Sequence, residues 1–214
     1  MTPHTTIGPL LEVRALTRMF AGLAAVQDLS FAVTGGAIKA VIGPNGAGKT
    51  TLLNLLSGFI EPTAGEIRLD RRRIDAMPPH ARVRHGMART FQNLQVFGGM
   101  TALENVMVGR HVRAHAGFLA GMFRTPASRR ESEAVRAAAE KTLALVGLER
   151  RAGTQATDLS FGELKLLELA RALAGEPRLL LLDEPAAGLA LAETDRMAGV
   201  IRGINASGVT VVLV

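Results

Sequence analysis

One stretch of residues, Gly43–Thr50, carries the strongest chemical pattern in the sequence. It reads Gly-Pro-Asn-Gly-Ala-Gly-Lys-Thr and matches the motif G-x-x-x-x-G-K-[ST] at every fixed position. Glycines let the backbone curl so that successive N–H groups converge on a phosphate, helped by the positive end of a following helix. We predict that Lys49 reaches the β- and γ-phosphates of a nucleotide and that the Thr50 hydroxyl ligates Mg²⁺. The alternative is a glycine-rich turn that binds nothing.

An acidic pair, Asp183 and Glu184, directly follows four consecutive leucines, Leu179–Leu182. A continuous apolar run of this length is typical of a strand buried on both faces, which would deliver Asp183 to the carboxyl end of a sheet. In phosphate-binding folds Mg²⁺ lies at that edge, where Glu184 could act as a general base toward water. Taken alone, the pair could equally be solvated or cap a helix.

A third motif, Leu159–Glu163, opens a helical segment. Ser160 is a good N-cap residue, which is one interpretation of this motif. The other is a second helix N-terminus that faces a phosphate group. The pattern alone does not decide between them.

The segments that position these residues alternate between strands and helices. The middle third of the chain differs in composition from its flanks, because it has more helix-forming Ala and Arg and few runs of β-branched residues. Alternating strands and helices indicate an α/β core, and the middle third is then an inserted subdomain. The Arg71–Arg73 triple is interpreted as a solvated hairpin turn. Periodicity predicts strands at 10–17, 29–33, 37–42, 66–69, 179–182 and 209–214, and helices at 52–56 (capped by Gly58), 131–146 and 160–174.

Composition and charge narrow the class of protein. The 214 residues are 48% hydrophobic and 21% charged, which is typical of a globular chain and excludes disorder. There is no cysteine, so disulfides, thiol nucleophiles and Cys-ligated metals are excluded. No apolar run approaches the roughly 18 residues that a membrane-spanning helix needs. Between Arg68 and Arg151 there are 16 basic and 7 acidic residues, which suggests an anionic partner or a solvated arginine-rich face.

The order of these motifs resembles that of the ATP-binding subunits of ABC transporters, over essentially Leu10–Val214. Leu159–Glu163 resembles the LSGGQ signature of this family, with Phe161 and Glu163 in place of glycine and glutamine. The stretches 88–93 and 183–189 are similar to one branch especially, which energises bacterial importers of branched-chain amino acids. In chain order the matching motifs are Gly43–Thr50, Arg-Thr-Phe-Gln ending at Gln92, Leu159–Glu163 and Leu179–Glu184.

The resemblance implies a fold and a division of the chain. It implies an α/β P-loop NTPase core with a mostly parallel sheet, an N-terminal antiparallel β subdomain and an inserted helical subdomain with the signature. We expect a single ABC ATPase domain over residues 1–214, with the nucleotide-binding core at about 10–92 and 176–214 and the helical subdomain at about 93–175. In the family, a strand like 209–214 leads to a histidine that contacts the γ-phosphate and to further strands. The chain is therefore expected to be a fragment, because a sheet ending here would expose an apolar edge.

The resemblance also assigns roles to individual residues. Phe20 matches an aromatic residue that stacks on adenine, with a core phenylalanine as the alternative, and Gln92 matches a glutamine that senses Mg²⁺ and the attacking water, with a surface glutamine as the alternative. Glu184, Lys49 and Gln92 are the expected catalytic residues, and Thr50, Gln92 and Asp183 the expected Mg²⁺ ligands. The expected ATP-binding residues are Phe20, Gly43, Pro44, Asn45, Gly46, Ala47, Gly48, Lys49, Thr50, Thr51, Ser160, Phe161, Gly162 and Glu163.

The implied assembly is a head-to-tail pair of sister or identical ATPase subunits, in which Ser160 and Gly162 of one subunit contact the γ-phosphate held by the other. Ala190 stands where the family usually has Asp or Asn, in a loop that communicates across the dimer. Expected partners are integral-membrane permease subunits and, indirectly, a periplasmic solute-binding protein, with this subunit peripheral on the cytoplasmic face of the inner membrane. Permease contact and core packing are equally favoured for Phe97, Met100, Met107, Phe118, Met122 and Phe123.

The leading hypothesis is ATP hydrolysis that powers uptake of branched-chain amino acids or related small polar solutes. The alternative is a nucleotide-binding module with weak or no hydrolysis, because the C-terminal histidine is missing. A nucleic-acid ATPase is favoured only by the basic middle third, and the coiled-coil insertions or tandem cassettes of such relatives do not occur in the sequence; we expect no nucleic-acid partner. The spacing of the histidines does not suggest a metal site: His4, His80, His85, His111 and His115.

Overall fold

The computed structural model describes residues 8–90, 94–110 and 126–214, and these divide into two units. The first unit contains the described residues of Met1–Arg89 together with Arg178–Pro185 and Ile204–Val214. The second contains those of Thr90–Pro177 together with Ala186–Gly203. The chain therefore leaves the first unit twice and returns to it twice.

An antiparallel sheet with strand order β2-β1-β4-β5 lies in the first unit. Strands β1 (Pro9–Phe20) and β2 (Leu23–Thr34) form a hairpin whose loop consists of Ala21 and Gly22. Both loop residues have positive φ angles, 45° and 88°, as a type I′ hairpin turn requires. The predicted strands at 10–17 and 29–33 are present, and both run on to this tight turn. The sheet is completed by β4 (Ala64–Leu69) and the exposed β5 (Arg72–Arg73), which contains two residues of the predicted arginine hairpin.

A parallel sheet with strand order β3-β8-β7-β6 also lies in the first unit. All four leucines of β7 are 0% exposed, which confirms the buried strand predicted from the apolar run. Strand β8 pairs with β3 on one side and with β7 on the other, so the expectation of an unpaired apolar edge at this strand was wrong. The strands are β3 (Ile38–Ala40), β6 (Met87–Arg89), β7 (Leu179–Leu182) and β8 (Thr210–Leu213).

Helix α1 (Lys49–Ser57) follows the glycine-rich loop and packs its leucines into the core of the first unit. It ends at Gly58, whose φ of 82° is the left-handed conformation of a helix cap, and this confirms the predicted C-cap. The buried leucines are Leu52, Leu53, Leu55 and Leu56.

A buried arginine closes the C-terminal end of helix α1. Arg82, in helix α2 (Pro79–Arg84), is 1% exposed and donates hydrogen bonds to the carbonyl oxygens of Leu55 and Leu56 at 2.6 and 2.7 Å. These carbonyls belong to the last turn, where a helix lacks internal partners, so Arg82 fixes the helix end. Burial lowers the pKa of Arg82 to about 10.

Helices form the framework of the second unit. Gly109 in α3 packs directly against the backbone carbonyl of Arg171 in α5, an approach that leaves no room for a side chain. The predicted helices at 131–146 and 160–174 are present, and α4 begins earlier than expected, at Pro126, because proline suits a first helical turn. Within the described ranges, no helix is both long and apolar enough to cross a bilayer. The helices are α3 (Ala102–Arg110), α4 (Pro126–Leu145), α5 (Phe161–Leu173) and α6 (Leu191–Ala206), whose last residues, from Ile204, belong to the first unit.

Candidate functional site

The glycine-rich loop between β3 and α1 has the backbone conformation that an anion-binding loop needs. Gly46 and Gly48 have φ angles of 81° and 82°, a region that disfavours residues with a Cβ. Gly48 is also the N-cap of α1, and its α-carbon packs against the carbonyl oxygen of Ala25 in β2, where a Cβ would overlap that oxygen. The first turn of α1 contains no acidic residue, so its N–H groups and its dipole face the loop without a competing carboxylate.

Lys49 folds back over this loop. Its Nζ donates to the carbonyl oxygens of Gly43 and Pro44, at 2.8 and 2.9 Å. The ammonium group is therefore held at the loop by two backbone acceptors, from which a phosphate could recruit it. The Thr50 side chain follows in the first helical turn and is exposed.

Asp183 and Glu184 occupy the carboxyl end of β7, as the sequence predicts. Asp183 is 2% exposed and forms an ion pair with Arg89, 2.9 Å from Nη2 to Oδ2. Glu184 is half-buried, has a φ of 47° and donates its backbone N–H to the carbonyl oxygen of Val214. A non-glycine residue at positive φ is held there by its surroundings, and such strain is concentrated at functional sites.

Two features of this acidic edge were missed from the sequence. The partner of Asp183 is Arg89. From the sequence, Arg89 was noted only as part of the stretch 88–93 that resembles the family. Its pairing with Asp183 could not be predicted, because residues 94 positions apart leave no local signal. The strained backbone of Glu184 also leaves none. The ion pair follows from how β6 and β7 pair as parallel strands, with Arg89 opposite Leu181, whereas Glu184 is held by its hydrogen bond to Val214.

Phe20 lies at the end of β1, beside the hairpin turn, and is 43% exposed, which does not fit a core phenylalanine. The guanidinium of Arg18 lies over its ring, 4.6 Å from the centroid, and donates through Nη1 to the carbonyl oxygen of Glu61. One ring face is thus occupied by a cation. The close packing of Ala25 against Gly48 sets the same hairpin against the start of α1.

The signature-like motif lies in the second unit, and its serine is an N-cap. Ser160 Oγ accepts the N–H of Glu163 at 3.2 Å, and the Glu163 carboxylate accepts the N–H of Ser160 at 2.9 Å, which is a complete capping box. The hydrogen bond from the Ser160 backbone, together with the Arg151 ion pair, holds the pKa of Glu163 below its ordinary value, although burial opposes this shift. The cap interpretation is therefore confirmed, and the phosphate-facing role stays a prediction.

The neighbours of this motif come from the segment after Glu184. The half-exposed ring of Phe161 packs against Gly188, and buried Gly162 packs against the carboxylate of Glu193. The same carboxylate accepts the backbone N–H of Ala190 at 3.1 Å. Glu193 therefore ties the loop that contains Ala190 to the start of α5, although it lies well outside the motif.

Part of the predicted set lies outside the described residues: Gln92 does, as do Phe118, Met122 and Phe123. Phe97 is 46% exposed with the Arg171 guanidinium 5.3 Å from its ring centroid, whereas Met100 and Met107 are half-buried. The predicted site residues that lie in the first unit are Phe20, the loop 43–48, Lys49, Thr50, Thr51, Asp183 and Glu184.

The oxygen donors of Thr50 and Asp183 are of the kind that a magnesium ion takes. Thr50 offers a hydroxyl and Asp183 a carboxylate, which are the hard ligands that Mg²⁺ takes alongside phosphate oxygens and water. Among the residues that the structure describes, no group of three or more His, Cys, Asp or Glu side chains could hold a metal by itself. A cation here would consequently depend on a phosphate-bearing ligand, as Mg²⁺ does in nucleotide sites.

Comparisons with known proteins agree with this geometry. A family model described as "ABC transporter" matches residues 26–187. The chain is 44% identical over 207 residues to the high-affinity branched-chain amino acid transport ATP-binding protein BraF of Pseudomonas aeruginosa, covering 96% of this chain and 81% of that protein. It is 40% identical over 208 residues to the corresponding protein LivG of Escherichia coli K12, with the same coverage. Among solved structures, the ADP conformation of an ATP-binding cassette of an ABC transporter matches with a TM-score of 0.83 at 30% identity, covering 96% of this chain and 80% of that one.

Proposed function

This chain belongs to the ABC transporter family, and we propose that it is the ATP-hydrolysing subunit of an importer for branched-chain amino acids. The observation that carries the chemistry is the ion pair between Arg89 and Asp183, because Arg89 also bonds to α1, the helix that follows the phosphate loop. The solute class is supported by the two relatives, at 44% and 40% identity, whose names include branched-chain amino acid transport.

ATP binding is assigned to the first unit. The backbone N–H groups of the loop and the first turn of α1, from Asn45 to Thr51, surround the β- and γ-phosphates, with Gly43 and Pro44 shaping the start of the loop. Lys49 exchanges its two carbonyl acceptors for phosphate oxygens. Adenine stacks on the face of Phe20 opposite Arg18, which keeps the ring oriented. Thr50 and Asp183 would hold Mg²⁺, with Gln92 as a further ligand. When bound, this ion neutralises the charge that develops on the phosphate oxygens.

Hydrolysis is assigned to Glu184. Its carboxylate orients a water molecule toward the γ-phosphate and accepts a proton from it. The positive φ and the hydrogen bond to Val214 set the direction in which Glu184 leaves the end of β7. Lys49 stabilises the negative charge of the transition state, so the catalytic step depends on one residue at the start of α1 and one that follows β7.

The second unit is assigned to assembly. The N-terminus of α5, with Ser160 and Gly162, approaches the γ-phosphate bound by a second ATPase subunit, identical or sister, so that hydrolysis requires the two to close. Exposed Phe97 and its neighbours contact the membrane-embedded permease, which places the subunit peripherally on the cytoplasmic face of the inner membrane. A periplasmic solute-binding protein delivers the amino acid to that permease.

Solute uptake tests this function. Cells from which the gene is deleted would be complemented with the wild type or with Glu184→Gln, and uptake of radiolabelled leucine, isoleucine and valine would be compared with uptake of ribose. We expect only the wild type to restore uptake of the three amino acids, while ribose uptake is the same in all strains. Restored ribose uptake, or amino acid uptake that does not require Glu184, would contradict the proposal.

A further inference from the structure

We propose that Arg89 is a positioning residue that sets the divalent-cation dependence of nucleotide binding. It does so by fixing the carboxylate of Asp183 relative to helix α1. This inference rests on the proposed function, because it assumes that Asp183 is the ligand through which Mg²⁺ strengthens ATP binding.

The guanidinium of Arg89 connects the ends of three elements. Its Nη2 donates to Oδ2 of Asp183 at 2.9 Å, after β7. Its Nη1 donates to Oδ1 of Asn54 at 2.7 Å and to Oγ of Ser57 at 2.8 Å, both on α1. Arg89 itself is the last residue of β6. The pair is buried, since the side chains of Arg89 and Asp183 are 7% and 2% exposed.

The acceptors on α1 are arranged for this donor. Asn54 and Ser57 are three residues apart and therefore share one face of the helix, among leucines that are fully buried. The Ser57 hydroxyl donates its own proton to the carbonyl oxygen of Leu53 at 2.6 Å, which directs a lone pair toward Arg89. Polar groups inside an apolar core require partners, and Arg89 supplies them.

An arginine suits this place better than a lysine. Its planar guanidinium has donors in a fixed fork, so bonds made by Nη1 determine where Nη2 points. The carboxylate of Asp183 is therefore fixed relative to Asn54, which lies one helical turn beyond Thr50 on the same face of α1. Helix α1 and Arg89 would therefore hold both expected Mg²⁺ ligands, Thr50 and Asp183, in fixed positions.

The direction in which removal of Arg89 changes Mg²⁺-dependent ATP binding distinguishes a positioning role from a simple effect of its charge. A cation beside a Mg²⁺ ligand repels Mg²⁺, so removal of Arg89 would strengthen Mg²⁺-dependent binding if charge alone mattered. If Arg89 positions Asp183, its removal weakens that dependence. Neither the charge of Arg89 nor its positioning of Asp183 affects ATP binding without metal, because that binding uses the loop and Lys49.

The experiment measures the dissociation constant of ATP in EDTA and in excess Mg²⁺. The readout is the ratio of the EDTA constant to the Mg²⁺ constant, which is large when Mg²⁺ strengthens binding. In Arg89→Met and Arg89→Lys we expect the ratio to fall about tenfold, the size of one lost charge-assisted hydrogen bond, while the EDTA constant is unchanged. Arg178→Met is the matched control, since it removes the surface ion pair to Asp70 in the same unit, and its ratio should equal that of the wild type.

Ser57→Ala is a second variant that keeps the Arg89–Asp183 pair and removes one acceptor of Arg89 on α1. It therefore does not require the core to fold without Arg89. Its ratio should fall about threefold. A ratio that stays constant or rises in the Arg89 variants, or in Ser57→Ala if those variants do not fold, overturns the proposal. If the wild type itself shows no Mg²⁺-dependent ATP binding, the proposed function fails together with the role of Arg89. If the wild type shows it and the variants keep the wild-type ratio, only the role of Arg89 fails.

Discussion

The α-carbon of Gly48 packs against the carbonyl oxygen of Ala25, at the point where helix α1 begins. This contact places the β1–β2 hairpin, in which Phe20 lies beside the turn, against the loop expected to bind phosphate. An aromatic surface and an anion-binding loop are thereby fixed in the same unit by a residue with no side chain. The position of Phe20 thus depends on the absence of a Cβ at Gly48.

Alanine at Gly48 should cost more stability than alanine at Gly46. Both positions have φ near 80°, where a Cβ costs about 1–2 kcal/mol, but Gly46 has no atom within 4 Å of that Cβ. Gly48→Ala adds an overlap with a backbone carbonyl, which cannot move away cheaply. Urea unfolding of the two variants measures the difference, and equal losses would show that the Ala25 contact carries no constraint.

Removal of the Lys49 side chain should weaken ATP binding without unfolding the protein. Its ammonium bonds to carbonyl oxygens of the loop, so Lys49→Ala loses a cation that the phosphates would recruit, and affinity should fall about ten- to a hundredfold. Lys39→Ala, on an exposed position of β3, is the matched control. Isothermal titration with ATP gives both constants. Wild-type affinity in Lys49→Ala would refute the assignment.

The adenine site can be separated from the phosphate site by two ligands. Phe20→Ala should weaken ATP binding about tenfold, because base–aromatic stacking is lost, and should leave pyrophosphate binding unchanged. Leu23→Ala, three residues along the same hairpin and 75% exposed, controls for effects on the turn. If Phe20→Ala weakened both ligands equally, the ring would instead support the loop.

The capping box of α5 should make stability depend on pH in the acid range. The pKa of Glu163 is lowered by the hydrogen bond from Ser160 and by Arg151, so its stabilisation is complete above the ordinary value of 4.5 and is lost as the pH falls through the folded-state pKa. Glu163→Gln keeps a capping acceptor without this titration. Urea unfolding at neutral pH and at about pH 4 should therefore show a smaller loss in Glu163→Gln than in the wild type. An identical loss would contradict this origin.

The features that depend on local chemistry could be predicted from the sequence. Gly58 is a helix cap because glycine alone adopts its φ cheaply, and Leu179–Leu182 form a buried strand because a continuous apolar run needs cover on both faces. The Ser160 cap follows from a serine placed three residues before a glutamate.

The features that depend on distant partners could not be predicted. The pairing of Arg89 with Asp183 and the packing of Gly162 against Glu193 join residues far apart in the chain. The Ala21–Gly22 turn was missed because alanine rarely adopts a positive φ, so the strands looked shorter than they are. The edge expected at β8 was wrong because strand order in a sheet does not follow chain order.

The assignment of Glu184 as the base that activates water is decided by ATP hydrolysis in this chain and in its Glu184→Gln variant. With Mg²⁺ and saturating ATP, we expect the wild type to hydrolyse ATP, whereas Glu184→Gln binds ATP with unchanged affinity and hydrolyses it about a hundredfold or more slowly. Gln retains the shape of the side chain at this strained position, so folding should be preserved. Equal rates of hydrolysis in the two proteins would exclude Glu184 as the base, and an absence of ATP binding in the wild type would exclude the nucleotide site itself.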